Sequence, residues 1–231
     1  AVVFNPHPSG ARCAAIAVRA FNEAIHRELG IENLVCTVEK PSLDSFDALC
    51  QAPEISLLCV TGGPGVVGAA MKSGKRAICA GPGNPPVLID DTADIDKAAR
   101  CVIQGGSYDN NLLCIGEKSI FVLESVADRF VRSMRLAGAV QLNDGQLARL
   151  TGEAFTDSKD AGGCSHPVLN RDLVGKDAGD LARIAGATAP AGTEMLFAET
   201  DAEHPYVMEE QMMPMVPVVR VRSVEEGIES A

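Results

Sequence analysis

Eight cysteines, at positions 13, 36, 50, 59, 79, 101, 114 and 164, are the candidate nucleophiles of this sequence, and their neighbours separate them. Most sit in apolar stretches such as Leu57-Leu58-Cys59-Val60, where a thiol serves as a small core hydrophobe. Cys114 is different. It follows Tyr108-Asp109-Asn110-Asn111-Leu112-Leu113 and precedes Ile115-Gly116-Glu117-Lys118, small and polar neighbours that place it at an accessible loop junction. A reactive thiol needs access and thiolate character, which helix N-termini and nearby cations supply. Lys118 is either such a cation or a solvated surface charge. Residue types alone leave a reactive and a buried structural Cys114 both open.

The second chemistry-bearing pattern is Gly63-Pro64-Gly65-Val66-Val67-Gly68, a literal Gly-x-Gly-x-x-Gly between a strand and a helix start. Free N–H groups and the helix dipole favour an anion there, and Pro64 suits a first helical turn. A tight strand-to-helix turn would use the same glycines. The next strand, ending near Ala80, carries no acidic residue of the kind that holds an adenine ribose. His7, His166 and His204 have no Ser or Cys partner at a readable spacing, His26 falls inside a helix, and no Cys-x-x-Cys pair or His-rich cluster suggests a metal.

The elements that must position these residues alternate. Val2 to Phe4, Leu34 to Val38, Ile55 to Val60 and Arg76 to Ala80 read as strands, the third of a buried type. Between them, Ala14, Val18, Phe21, Ile25 and Leu29 mark the apolar stripe of a helix closed by Gly30. Ser42 caps a second helix through Leu49, and the glycine pattern opens a third ending near Ser73-Gly74. Such alternation predicts a parallel sheet covered by helices, an α/β fold. Gly81-Pro82-Gly83-Asn84-Pro85-Pro86 is the internal boundary, dividing residues 1–82 from 83–231. Beyond it come strands at 87–89, 119–123, 194–198 and 216–221, a helix from Asp94 to about Gln104, and a loop at 105–111. Ser125 caps a further helix burying Val126, Phe130 and Met134. Residues 143–186 read as helical pieces and loops, with Gly162-Gly163 the clearest break, and 224–228 as a helix beginning.

Lys plus Arg number 20 against 31 Asp plus Glu, a net charge of −11, which disfavours nucleic acid and anionic membranes as partners. No apolar run reaches the roughly 20 residues that span a bilayer, and the cysteine usage fits a reducing cytoplasm. The chain opens on Ala1-Val2-Val3-Phe4 without Met and closes inside a helix, which reads as a fragment cut at both ends.

The run Asp109-Asn110-Asn111-Leu112-Leu113-Cys114-Ile115-Gly116-Glu117-Lys118 resembles the aldehyde dehydrogenase superfamily, specifically its CoA-acylating branch of propanediol and ethanolamine utilisation. The similarity includes Gly81 to Pro86, Asp91 to Asp96, Val60-Thr61-Gly62-Gly63 and Glu209-Glu210-Gln211-Met212-Met213-Pro214. It implies part of a Rossmann-type NAD-binding domain followed by an α/β catalytic domain lacking its last segment. It further implies that Cys114 is the nucleophile, its backbone N–H helping to hold the oxyanion. Thr61, Gly62, Gly63, Gly65 and Gly68 would lie beside the NAD phosphates, and Glu210 would hold the nicotinamide ribose; a solvated acidic pair with Glu209 is the alternative. Hydrolytic relatives place a general-base Glu 34 residues before the nucleophile, and 114 minus 34 is 80, which is Ala80 here. The implied reaction is NAD-dependent oxidation of acetaldehyde or propionaldehyde to acyl-CoA, with coenzyme A as co-substrate. Full-length relatives are homo-oligomeric and some associate with microcompartments. Two other readings are an inactive, truncated family member and a simple dinucleotide-binding protein.

Overall fold

The computed structural model describes residues 1–159 and 165–231, in two compact units, Ala1–Gly81 and Pro82–Ala231. The break expected at Gly162-Gly163 and Cys164 lie outside the described residues.

The first unit runs β1 (Val2–Phe4), α1 (Ala11–Leu29), β2 (Val35–Thr37), α2 (Leu43–Gln51), β3 (Leu57–Thr61), α3 (Pro64–Lys72) and β4 (Arg76–Ala80). Its strands pair in parallel but as two separate pairs, β1 with β2 and β3 with β4, rather than in one sheet. Asn22 explains how α1 is oriented: its amide donates to Val35 O at 2.7 Å and accepts from Val35 N at 3.2 Å. Those bonds turn the Val18–Asn22–Ile25 line inward. Phe21 and Leu29, expected in the core stripe, are therefore exposed. In β3 burial alternates, so Leu57 and Cys59 face out and only Leu58 and Val60 are buried. Among the described cysteines Cys50 alone is buried, which corrects the reading of Cys59 as a core residue.

Ser42 does cap α2. Its hydroxyl accepts from Ser45 N, and the Ser45 hydroxyl accepts from Ser42 N, a reciprocal capping box. Ser42→Ala should cost about 1 kcal/mol, read as a lowered urea midpoint with unchanged slope; an unchanged midpoint would show that the cap contributes nothing.

The second unit contains β5 (Pro86–Ile89), α4 (Ile95–Ser107), β6 (Ser119–Leu123), α5 (Glu124–Leu136), β7 (Val140–Gln141), α6 (Asp144–Ala154), β8 (Phe155–Lys159), β9 (Ser165–Leu169), α7 (Ala178–Ala185), β10 (Leu196–Thr200), the single turn α8 (Pro205–Met208), β11 (Met215–Val221) and α9 (Val224–Ser230). Five strands form one parallel sheet in the order β5-β6-β11-β10-β7. Successive side chains of a strand point to opposite faces. Ile120, Val122, Phe197, Val216 and Val218 accordingly join α4 and α5 in one core, which includes Ile95, Val102, Phe130 and Met134. Leu196, Ala198 and Met215 pack on the other face with α6 and α7. Both faces are covered, which is why these strands read as continuous apolar runs.

Three expectations change here. The helix after Asp94 runs through Gly105 and Gly106 to Ser107, followed by a 3-10 turn at Tyr108–Asn111, where a loop was expected. Ser125 caps nothing, since α5 begins at Glu124 after Leu123 with no side-chain cap. The weak stretch after Ala154 holds an antiparallel pair, β8 with β9, that the polar Thr156-Asp157-Ser158-Lys159 concealed.

A candidate nucleophile loop at the amino edge of the sheet

In the second unit β5, β6 and β11 are parallel neighbours, so the segments entering them lie along one edge of the sheet. Asn84 lies in the segment before β5, Cys114 in the segment before β6, and Glu210 in the segment before β11. The chain brings the segment that carries Glu210 onto the loop of Cys114 and Lys118 in this way, Gln211 Nε2 reaching Lys118 O across 93 residues of sequence.

Cys114 is exposed, in a turn in which Gly116 N–H donates to Leu113 O at 3.1 Å. Beneath it the backbone is strained. Asp109, Asn110 and Asn111 all have left-handed φ values, 51°, 52° and 59°, each costing a non-glycine residue about 1 kcal/mol, with Asn and Asp tolerating it best. Such a run persists only where its surroundings hold it. Asn110 Nδ2 donates to Gly175 O at 3.0 Å and to Asp177 Oδ1 at 2.8 Å. Asn111, fully buried, donates from Nδ2 to Glu117 O at 3.1 Å.

Lys118 is buried, not a solvated surface charge. Its Nζ donates to Asn111 O at 2.6 Å and to Asn111 Oδ1 at 3.0 Å. Its own backbone is fixed on both sides, N–H to Pro85 O at 3.0 Å and O from Gln211 Nε2 at 2.8 Å. Burial pushes the Lys118 ammonium below the usual lysine range, and the negative charges of Glu210 and of an ionised Cys114 oppose that shift. Glu210, like Glu209, is half-buried, and its negative charge is one of those acting on this cation.

Asn84 Oδ1 and Gln211 Oε1 are buried acceptors without a donor among the described residues. Asn84 Nδ2 donates to Val207 O, and a Cβ added to Gly83 would stand 3.3 Å from Cys114 O. The sequence reading missed Asn84, Asn111 and Gln211. A run of three residues that all tolerate left-handed backbone was the available signal for Asn111.

Thr61, Gly62, Gly63, Gly65 and Gly68 lie in the first unit. Thr61 ends β3, paired with Ala80 of β4, and Gly62 N–H donates to Ala80 O at 3.1 Å. Gly63 is the N-cap of α3, with Pro64 at the first helical position. Contrary to the tight-turn explanation, none of these four glycines has positive φ. A Cβ would meet nothing within 4 Å at Gly63, Gly65 and Gly68, and only Val66 at 3.7 Å from Gly62. The fold of this unit does not itself require them. They leave an open, side-chain-free approach to the first turn of α3, where Pro64 has no N–H and Val66 and Val67 N–H donate to Gly63 O, and the positive end of the helix dipole there fits a phosphate group.

The histidines do not build a catalytic set. His7 and His204 accept from backbone N–H groups two residues on, and His26 is in an exposed pairing with Glu32; the side chain of His166 lies outside the described residues. Among the described residues no group of three or more His, Cys, Asp or Glu could hold a metal, and no helix is long and apolar enough to cross a membrane.

Residues 1–149 match the sequence profile of the aldehyde dehydrogenase family. The chain is 43% identical over 228 residues to an acetaldehyde dehydrogenase (acetylating) of Salmonella typhimurium, covering 98% of this chain and 48% of that protein. It is 39% identical to a propanal dehydrogenase (CoA-propanoylating) of the same organism, covering 98% and 47%. Among solved structures, a propionaldehyde dehydrogenase from the Clostridium phytofermentans fucose utilisation bacterial microcompartment superposes with a TM-score of 0.87 at 40% identity, covering 99% of this chain and 51% of that one. The Rhodopseudomonas palustris propionaldehyde dehydrogenase with bound propionyl-CoA gives 0.87 at 39%, covering 100% and 49%. The chain spans about half the length of the curated relatives it matches. With its matching profile, relatives and parallel α/β fold, the chain belongs to the aldehyde dehydrogenase family.

Proposed function

We propose that the protein carrying this chain oxidises a short aliphatic aldehyde, acetaldehyde or propionaldehyde, to its acyl-CoA, with NAD as acceptor and Cys114 as nucleophile. The observation that carries this reading is an exposed thiol on a braced loop, beside Glu210 and a buried lysine. The named relatives act on acetaldehyde and propanal with acyl transfer to CoA, and one is solved with CoA and an acylated cysteine.

In this mechanism the Cys114 thiolate adds to the aldehyde carbonyl, and the Cys114 N–H stabilises the oxyanion that develops. NAD, when bound, supplies the hydride acceptor, leaving a thioester on Cys114. Thr61, Gly62, Gly63, Gly65 and Gly68 would hold the cofactor's phosphates, and Glu210 would accept from its nicotinamide ribose. Ala80 stands where hydrolytic relatives have the water-activating Glu, so the thioester waits for the thiol of coenzyme A. The 1–82 part thus serves the cofactor and the 83–231 part the chemistry. We place the protein in the cytoplasm as a homo-oligomer, and the origin of the C. phytofermentans relative supports association with a microcompartment.

Product analysis tests the acyl-transfer step. Incubated with aldehyde, NAD and coenzyme A, the protein is expected to form NADH and acyl-CoA in equal amounts. Free carboxylic acid as the main product would overturn it.

A further inference from the structure

Lys118 is a full-length cation enclosed in protein, and the proposed chemistry gives it no task. It also lies at one end of the loop that carries Cys114. Asn111 lies at the other end. Between them run three bonds: Lys118 Nζ to Asn111 O at 2.6 Å, Lys118 Nζ to Asn111 Oδ1 at 3.0 Å, and Asn111 Nδ2 to Glu117 O at 3.1 Å. These close the neck of the loop from Asn111 to Lys118, with Cys114 at its exposed tip. The neck admits no bulk, since a Cβ on Gly116 would stand 2.8 Å from Asn111 Oδ1.

The neck is tied to the sheet as well. Lys118 N–H donates to Pro85 O, ahead of β5, and Gln211 Nε2 donates to Lys118 O at 2.8 Å and to Met215 O at 3.1 Å, ahead of β11. Gln211 adjoins Glu210. One buried residue therefore joins the loop of the nucleophile to the segment of the carboxylate.

We propose that Lys118 is a positioning residue, clamping the left-handed backbone of Asn111 so that Cys114 is presented at the loop tip in register with Glu210. This rests on the reading of Cys114 as nucleophile. The ammonium is suited to the task because it carries three N–H donors and a positive charge to two acceptors of the same residue. Charge-assisted bonds of this kind are also the stronger ones. The negative charge of Glu210 opposes the effect of burial on this ammonium.

The test compares Lys118→Met, which keeps the stem and removes the donors, with Asn111→Gly and Asn111→Asp. Glycine relieves any backbone strain and loses the side-chain part of the clamp, keeping only the backbone acceptor, whereas aspartate keeps both acceptors for Lys118. Two readouts are used in the full-length protein: kcat and KM for NADH formation, and the iodoacetamide alkylation rate of Cys114 relative to the exposed Cys101 on α4, by peptide mapping. Buried Cys50 reports unfolding in the first unit, and a thermal melt reports it for the whole. Lys118→Met and Asn111→Gly are expected to lower kcat at least tenfold and to change the Cys114 to Cys101 ratio at least threefold. Asn111→Asp should retain most of both, and the double variant Lys118→Met with Asn111→Gly should be no worse than either alone. Full recovery in Asn111→Gly would overturn the clamp, because strain alone would then explain Asn111. So would an unchanged kcat and alkylation ratio in a folded Lys118→Met. If that variant does not fold, Asn111→Gly against Asn111→Asp decides the matter by the same criteria. Loss of the nucleophile reading looks different: turnover would survive Cys114→Ala whatever the clamp variants do.

Discussion

Cys114→Ala is expected to lower NADH formation by about 10⁴-fold or more, the scale on which removing a covalent nucleophile acts. The substitution deletes one exposed sulfur atom, so stability should move by no more than about 0.5 kcal/mol. The KM for NAD should also change little, because the glycines proposed for the cofactor are in the other unit and the Glu210 segment does not depend on the thiol. That combination, lost turnover with intact folding and cofactor affinity, separates a nucleophile from a structural cysteine. The check is steady-state NADH formation beside a thermal melt and NAD titration. Turnover within tenfold of the parent would remove Cys114 from the mechanism. Alkylation without peptide mapping would not settle the point, since Cys13, Cys59 and Cys101 are exposed too.

The local rules that made elements legible in the sequence were those in which short-range chemistry decides. Ser42 and Asp94 cap helices because their oxygens reach a backbone N–H three residues on. Four of the five strands of the second unit's sheet were legible because burial on both faces demands uninterrupted apolar residues; β10 begins two residues later than expected, at Leu196, and the two-residue β7 gave no signal. Failures came where tertiary contacts decide. Phe21 lies in a sound helical stripe, but the bonds of Asn22 to Val35 rotate that stripe away from the core. Of the two readings of Lys118, a cation near Cys114 or a solvated charge, burial removes the second, and nothing within the run revealed that Asn111 would offer it two acceptors. Cys114, the proposed nucleophile, has neighbours that set it apart from the other cysteines, and it is exposed. The support of its loop was not legible, because Gln211 comes from the segment entering another strand and reaches Lys118 O only through the order of the sheet.

Gly106 makes the same point as a measurable effect. A glycine pair reads as a helix breaker, yet Gly105 and Gly106 are the last full turn of α4. The reason is proximity. A Cβ on Gly106 would lie 2.9 Å from the backbone O of Glu117 and 2.7 Å from Met195 Cε, while one on Gly105 would meet only the mobile carboxylate end of Glu117. Alanine at 105 can be accommodated by moving that carboxylate, and helix propensity returns about 1 kcal/mol. Alanine at 106 gains the same propensity but must displace main chain next to Lys118, so a net loss of about 1–2 kcal/mol is expected. Leucine at 106 has nowhere to place its remaining carbons and should cost about 3 kcal/mol or more. The displaced backbone is the neck of the nucleophile loop, so turnover of Gly106→Ala should fall before global stability does. Denaturant midpoints and kcat measured on Gly105→Ala, Gly106→Ala and Gly106→Leu check the order. A Gly106→Leu protein as stable and active as the parent would mean that α4 does not press on the loop that carries Cys114.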